Sequence, residues 1–161
     1  MLKGFGQGQR AKDLPSIASR PNERWATDLT HVWCGKDRRA SLAVIIDSCT
    51  CEIPGWRLLS DNGSSKTAEA AQEEALIYRF STLERITQPL TLRSDNGLVF
   101  SSRHHTVTVN AYGFTQEFTT PYTPEQNGLV ERFFRSLKEE CIWQDRFGSQ
   151  SQARIVVDRW I

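Results

Sequence analysis

The chain has 161 residues, 39% of them hydrophobic and 24% charged, the composition of one soluble globular domain. Its formal net charge is +1, so charge alone does not point to a nucleic-acid partner. No apolar run nears the roughly 20 residues that span a bilayer, and Met1 to Arg10 lacks the apolar centre of a signal peptide, which makes a cytoplasmic protein the expectation.

Residues 1–20 are rich in Gly, Gln, Lys and Ser and read as a flexible arm or linker. The first 25 residues are locally basic, with Lys3, Arg10, Lys12, Arg20 and Arg24 against Asp13 and Glu23, and suit either a solvated tail or a contact to DNA phosphate. Trp25 to Trp33 is β-prone, with Asp28 in its middle. A turn at Gly35 to Arg38 leads to Ser41–Asp47, a nearly unbroken apolar run that suits a strand covered on both faces. Cys51 to Leu59 reads as a third strand. Pro54 cannot donate to a ladder, which places this strand at a sheet edge.

Asp61 to Ser65 is a loop entering a helix whose apolar stripe is Ala68, Ala71, Ala75 and Leu76. Leu90 to Ser94 is a short buried strand closed by Asp95. Ser101 to Tyr112 carries mixed signals. Ser102 can cap a helix and Gly113 can end it, whereas Val107 and Val109 favour a strand. Phe114 to Thr119 is a fifth strand. Gln126 to about Phe147 reads as one helix with a buried stripe of Val130, Phe133, Phe134, Leu137 and Cys141, and Gln150 to Trp160 as a last helix.

Cys34, Cys49, Cys51 and Cys141 lack the spacing of disulfide or zinc frameworks and are expected to be free thiols. His104-His105 reads as a polar surface pair rather than a metal site.

Three carboxylates stand out. Asp28 lies in Trp-Ala-Thr-Asp-Leu-Thr, Asp95 in Leu-Arg-Ser-Asp-Asn-Gly, and Glu131 in Gln-Asn-Gly-Leu-Val-Glu-Arg-Phe-Phe. Residues 96 to 130, 35 in all, separate the last two. A charge in the middle of a strand buried on both sides is costly unless it is paired or bound to metal. Three carboxylates on rigid elements can converge on divalent ions, and hard oxygen donors suit Mg²⁺ or Mn²⁺ rather than zinc.

This spacing resembles that of the DD35E transposases and retroviral integrases. The surrounding segments, Pro21 to Asp28, Arg93 to Gly97 and Pro121 to Glu131, are similar to insertion-sequence transposases of the IS3 family over roughly residues 20 to 161. The resemblance implies an α/β, RNase H-like fold: a five-stranded mixed sheet, its third strand at an edge, flanked by helices. It resolves Ser101 to Tyr112 as a helix and makes residues 21–161 an integrase catalytic core. Family members usually continue beyond Trp160-Ile161 and carry a helix-turn-helix module ahead of the core, which implies a chain truncated at its C-terminus.

What the resemblance implies for function is a two-metal DNA transposase. Asp28 and Asp95 would share one Mg²⁺ or Mn²⁺, and Asp28 or Glu131 would hold the second. Asn96, Gln126, Asn127 and Gly128 are candidate DNA contacts, and Arg135 and Lys138, at i+4 and i+7 from Glu131 on the same side of its helix, suit either simple helix ion pairs or a grip on DNA phosphates; double-stranded DNA, as element ends and target, is the implied partner. A homo-oligomer in the bacterial cytoplasm, with no membrane association, completes that picture. Two alternatives stay open. A ribonuclease H-like nuclease would carry a further acid, for which Glu69, Glu73 and Glu74 are candidates, and a catalytically silent module would bind DNA or protein alone.

Overall fold

The computed structural model describes residues 8–11, 17–60 and 65–161. Six strands form one sheet: β1 (Gln9–Arg10), β2 (Arg24–Trp33), β3 (Arg39–Asp47), β4 (Gly55–Leu59), β5 (Thr91–Ser94) and β6 (Thr115–Phe118). Their spatial order is β1-β6-β5-β2-β3-β4. The hairpin strands β2, β3 and β4 pair antiparallel, whereas β5 and β6 join by parallel pairing, so the sheet is mixed. Among the described residues five α-helices surround it: α1 (Ser65–Phe80), α2 (Leu98–Ser101), α3 (Arg103–Tyr112), α4 (Gly128–Glu140) and α5 (Gln150–Trp160).

The hydrophobic patterning accounts for two cores, one on each face. Alternate residues of β3 point to opposite sides. Leu42, Val44 and Ile46 join Ala26 and Val32 of β2 against Val130, Phe134 and Leu137 of α4 and Ala153 and Val157 of α5. Ala43 and Ile45 join Trp25 against Ala71, Ala75 and Leu76 of α1 and Val109 of α3. Trp25 is fully enclosed there, stacked on Phe80 at 6.0 Å and tilted against Phe114 at 5.7 Å. A side chain of this kind contributes about 1.5–3 kcal/mol when fully buried, and β3 carries several on both of its faces.

Most expected elements are present. The ambiguous segment is helical: Ser102 caps α3 by accepting from the His105 N–H, and Gly113 closes it at φ 90°. β4 lies at the sheet edge, with Pro54 just outside it. The cysteines are free thiols.

Four expectations require correction. The sheet has six strands rather than five, because Gln9 and Arg10 pair parallel to Glu117 and Phe118; a two-residue strand has too little periodicity to be read. The third strand is shorter than expected, beginning at Gly55 rather than Cys51. The long helix expected to reach Phe147 ends at Glu140. Cys141 leaves helical geometry, the Gln144 side chain donates to the Glu139 carbonyl at 2.8 Å, and Phe147 turns back into the core. His104-His105 is not a surface pair. His104 is exposed, but His105 is 1% exposed and its Nε2 sits 3.0 Å from Gln72 Nε2. The expected loop at 61–64 lies outside the described residues.

Burial, helped by the neighbouring His104, pushes the His105 imidazole down to about 4. The unfolded chain therefore takes up a proton that the folded chain refuses, so the contribution of neutral His105 is full above about pH 6.5 and is lost as pH falls toward 4. Chemical denaturation across this range should show the stability of the parent falling relative to His105→Gln by up to about 3 kcal/mol. A parent-minus-variant difference that stayed flat would show that this imidazole titrates normally.

Candidate active site

The sheet register brings the first two carboxylates together. β2 and β5 run parallel with Ala26 opposite Arg93. Continuing that register by two residues sets Asp95, just beyond the end of β5, beside Asp28. Asp28 lies opposite Val44, on the face that packs against α4, and Glu131 is in the first turn of that helix. One cleft of about 460 Å³ is lined by Asp28, Asp95, Asn96, Asn127 and Glu131, with Tyr122 and its neighbours forming the far wall.

The environments of these groups differ. Asp28 is half-buried, and burial pushes its carboxyl up to about 7, with the negative charges of Asp95 and Glu131 adding to the rise. The Leu29 N–H, donating to Asp28 Oδ1 at 2.8 Å, and the more distant Lys138 act in the opposite direction. Asp95 Oδ1 accepts the Gly97 N–H at 2.8 Å. A Cβ at Gly97 would lie 2.8 Å from that same oxygen, so the glycine leaves room for the carboxylate.

Asp47 is the contrast. It is fully buried at the end of β3, and its two oxygens accept N–H groups from Asn22, Cys49 and Thr50, with Arg79 at 3.8 Å. That is a structural aspartate with its charge fully compensated. Asp28 has one N–H, from its own neighbour, and faces an open cleft.

The loop between β6 and α4 is fixed from below. Arg93, 1% exposed, donates through Nε to Glu117 Oε1 at 2.5 Å and through an NH to the Gln126 carbonyl at 2.9 Å. Gln126, 2% exposed, accepts the Thr120 N–H at 2.6 Å and donates to the Ala11 carbonyl at 3.3 Å. The structure therefore places Gln126 beneath the cleft as an anchor of the loop, rather than at its surface. Asn127 is buried but lines the cleft, and its Oδ1 has no hydrogen-bond partner among the described residues. Gly128 begins α4, and Asn96 is held by its amide N–H to the Thr119 carbonyl at 2.7 Å.

A second cleft adjoins the first. Asp28 and Glu131 line both, and Arg135, Lys138 and Trp143 line the second. The spacing i, i+4, i+7 puts Glu131, Arg135 and Lys138 on one side of α4. Trp143 is 69% exposed, because α4 has ended before it. Sequence reading missed Trp143, along with the Arg93–Glu117 pair. Tyr122 was visible in Pro-Tyr-Thr-Pro, and the structure shows it wholly exposed with φ 60°, a conformation that non-glycine residues rarely adopt.

Among the described residues the donor set suits a hard divalent ion: three carboxylates and a buried amide oxygen with no hydrogen-bond partner there, and neither His nor Cys along the cleft. The carboxylates share the cleft without forming a closed ligand sphere, since no three His, Cys, Asp or Glu side chains make a ready metal cluster among the described residues. The acids considered for a ribonuclease H-like site are engaged elsewhere, on α1, which packs on the other face of the sheet. Glu69 pairs with His104, Glu73 accepts the Tyr112 hydroxyl, and Glu74 pairs with Arg57.

The Integrase core domain family matches residues 18–124, and a second Integrase core domain family matches 112–161. The chain belongs to the integrase core domain family. This integrase core is 29% identical over 161 residues to the putative transposase InsK for insertion sequence element IS150 of Escherichia coli K12, covering 96% of this chain and 54% of that protein. It is 29% identical over 153 residues to an insertion element IS136 uncharacterized protein of Agrobacterium fabrum, covering 94% of this chain and 78% of the other. The chain thus spans about half the length of InsK. These matches bear out the resemblance to IS3-family transposases.

Two solved structures share the architecture. The catalytic domain of Mos1 mariner transposase superposes with a TM-score of 0.69 at 14% identity, over 86% of this chain and 69% of that one. The HTLV-2 integrase catalytic core domain, solved in complex with magnesium, gives 0.55 at 24% identity, over 76% and 70%. The integrase core therefore has the expected RNase H-like fold. No helix among its described residues is long and apolar enough to cross a membrane.

Arg93 is buried and Glu117 half-buried, and Glu117 also stands 3.9 Å from Arg24, so truncating it removes a carboxylate shared by two guanidinium groups. Glu117→Ala should cost about 3–5 kcal/mol in urea denaturation. A loss under about 1 kcal/mol, the worth of an exposed pair, would mean that the pair does not anchor this region.

Proposed function

We propose that this integrase core is the catalytic part of a metal-dependent DNA transposase, acting on phosphodiesters at the ends of a mobile element and in its target. The observation that carries this reading is the single cleft collecting Asp28, Asp95 and Glu131 from three elements far apart in the chain. Asp28 and Asp95 would hold one Mg²⁺ or Mn²⁺, and Asp28 or Glu131 a second. Such ions, when bound, activate a hydroxyl and stabilise a leaving oxygen in phosphoryl transfer. The chain's own residues hold the carboxylates in place and position the DNA.

No protein nucleophile is needed. Water cleaves a phosphodiester to free a 3′-hydroxyl, and that hydroxyl then attacks a second phosphodiester, releasing the target strand's own 3′-hydroxyl. Arg135 and Lys138, in the adjoining cleft, would grip phosphates beside the reacting bond. The HTLV-2 integrase catalytic core, which shares this fold, is described in trimeric and dimeric forms, and this supports action within a homo-oligomer. The relatives are bacterial insertion-sequence proteins, so we place that action in the bacterial cytoplasm.

Asp28→Asn, Asp95→Asn and Glu131→Gln should each abolish metal-dependent DNA cleavage while the domain stays folded. Without metal, the melting temperature of Asp28→Asn should match or exceed that of the parent, because a half-buried charge facing two others is removed. Mg²⁺ or Mn²⁺ should raise the parent's melting temperature by mass action and that of the variants less. Cleavage retained by any one variant would remove that residue from the site, and calorimetry showing no binding of either ion would sink the reading.

Arg135→Glu combined with Lys138→Glu should weaken binding to duplex DNA of any sequence and flatten its dependence on salt. Fluorescence anisotropy at several salt concentrations reads both quantities. Unchanged affinity with an unchanged salt slope would leave this face of α4 as ordinary solvated surface.

A further inference from the structure

A third cleft, of about 460 Å³, lies on the opposite side of the carboxylates from Arg135 and Lys138. Arg10 of β1 and Arg103 of α3 line it, together with Asn96, Ser101, Thr106 and Phe118. Arg103 is the first residue of a ten-residue helix, so the positive end of the helix dipole adds to the two guanidinium groups.

Two features show that this cleft is built rather than accidental. β1 is held on β6 by its register and by the Ala11 N–H donating to the Phe118 carbonyl at 2.8 Å. The chain enters β1 so closely that a Cβ at Gly8 would sit 2.6 Å from the Phe118 ring. Asn96, fixed on Thr119, lines both this cleft and the carboxylate cleft. The three clefts are therefore contiguous, joined by Asp28 and Glu131 on one side and by Asn96 on the other. Basic side chains stand at both ends of this furrow and acidic ones at its centre.

We propose that Arg10 and Arg103 form a second phosphodiester-binding site, which takes the DNA backbone beyond the reacting phosphate on the side away from α4. The proposal rests on the strand-transfer reading for the position of the reacting phosphate. Guanidinium groups from two elements, with hydroxyls and an amide between them, match a chain of phosphodiesters passing from one cleft to the next. The N-terminal arm thereby acquires a role: β1 presents Arg10 to the DNA.

The test is anisotropy of a fluorescein-labelled DNA duplex with the whole chain, in EDTA so that cleavage plays no part. Arg10→Glu combined with Arg103→Glu should bind several-fold more weakly, and its slope of log K against log salt should be smaller by about 2, since each neutralised phosphate contributes about 0.9. Arg10→Lys with Arg103→Lys should keep most of the salt slope. Adding Arg135→Glu and Lys138→Glu should give a further loss that adds in free energy, as for separate contacts. Should the charge reversals unfold the chain, Arg10→Gln with Arg103→Gln provides the same comparison.

Unchanged affinity and slope in a folded variant would overturn the proposal, as would a parent that binds no duplex at all. Inorganic phosphate competing at the same concentration as DNA phosphate would reassign the cleft to a small free anion and overturn it as well. A weakened Arg10/Arg103 variant alongside fully active triad variants would instead leave this site standing and remove the catalytic reading.

Discussion

The Arg93–Glu117 ion pair is the interaction on which the rest of the site depends. It joins β5 to β6, and the same guanidinium holds the Gln126 carbonyl just before α4. Two residues after Arg93 comes Asp95, and five after Gln126 comes Glu131. One buried side chain therefore sets the distance between the strand that presents the second acid and the helix that presents the third. Arginine suits this position because its planar fork donates in several directions at once, which a lysine cannot do.

The central strand faces an opposing demand. β2 must be apolar on both sides to lie between two cores, yet it carries Asp28 on the α4 side. Desolvation there raises the carboxyl to about 7, and no buried cation among the described residues pairs with it, unlike Asp47 at the open end of the β2–β3 ladder. A cost that folding does not require is the usual mark of a functional group. Asn127, whose amide oxygen is buried at the cleft without a partner among the described residues, shows the same pattern.

The parts of the fold legible in the sequence were those with strong local signals. β3 announced itself by an unbroken apolar run, whereas the signals over α3 were mixed and only the family resemblance resolved them as a helix. The acids were legible through their surrounding words and their separation, not through periodicity. What escaped was set by tertiary context. β1 is two residues that become a strand only because β6 offers an edge. α4 stops where Phe147 is drawn back into the core, and this leaves Trp143 in the open. His105 looks like its exposed neighbour until the fold turns one ring inward and the other out. Gln126 was expected at the start of the long helix as a DNA contact, and only the three-dimensional path of the arm shows that its amide is spent on Ala11 and Thr120.

The sheet order has a consequence for the order in which the protein can be made. β2, β3 and β4 are neighbours both in the chain and in the sheet, so their pairing requires only short loops. β5 and β6 must then cross over to the far side of β2, and α4 and then α5 cover that face. A partly synthesised chain, ending anywhere before Glu131, holds at most two of the three acids. Whatever chemistry the cleft performs is thus withheld from the nascent polypeptide near the ribosome and becomes available only once the late helix has docked.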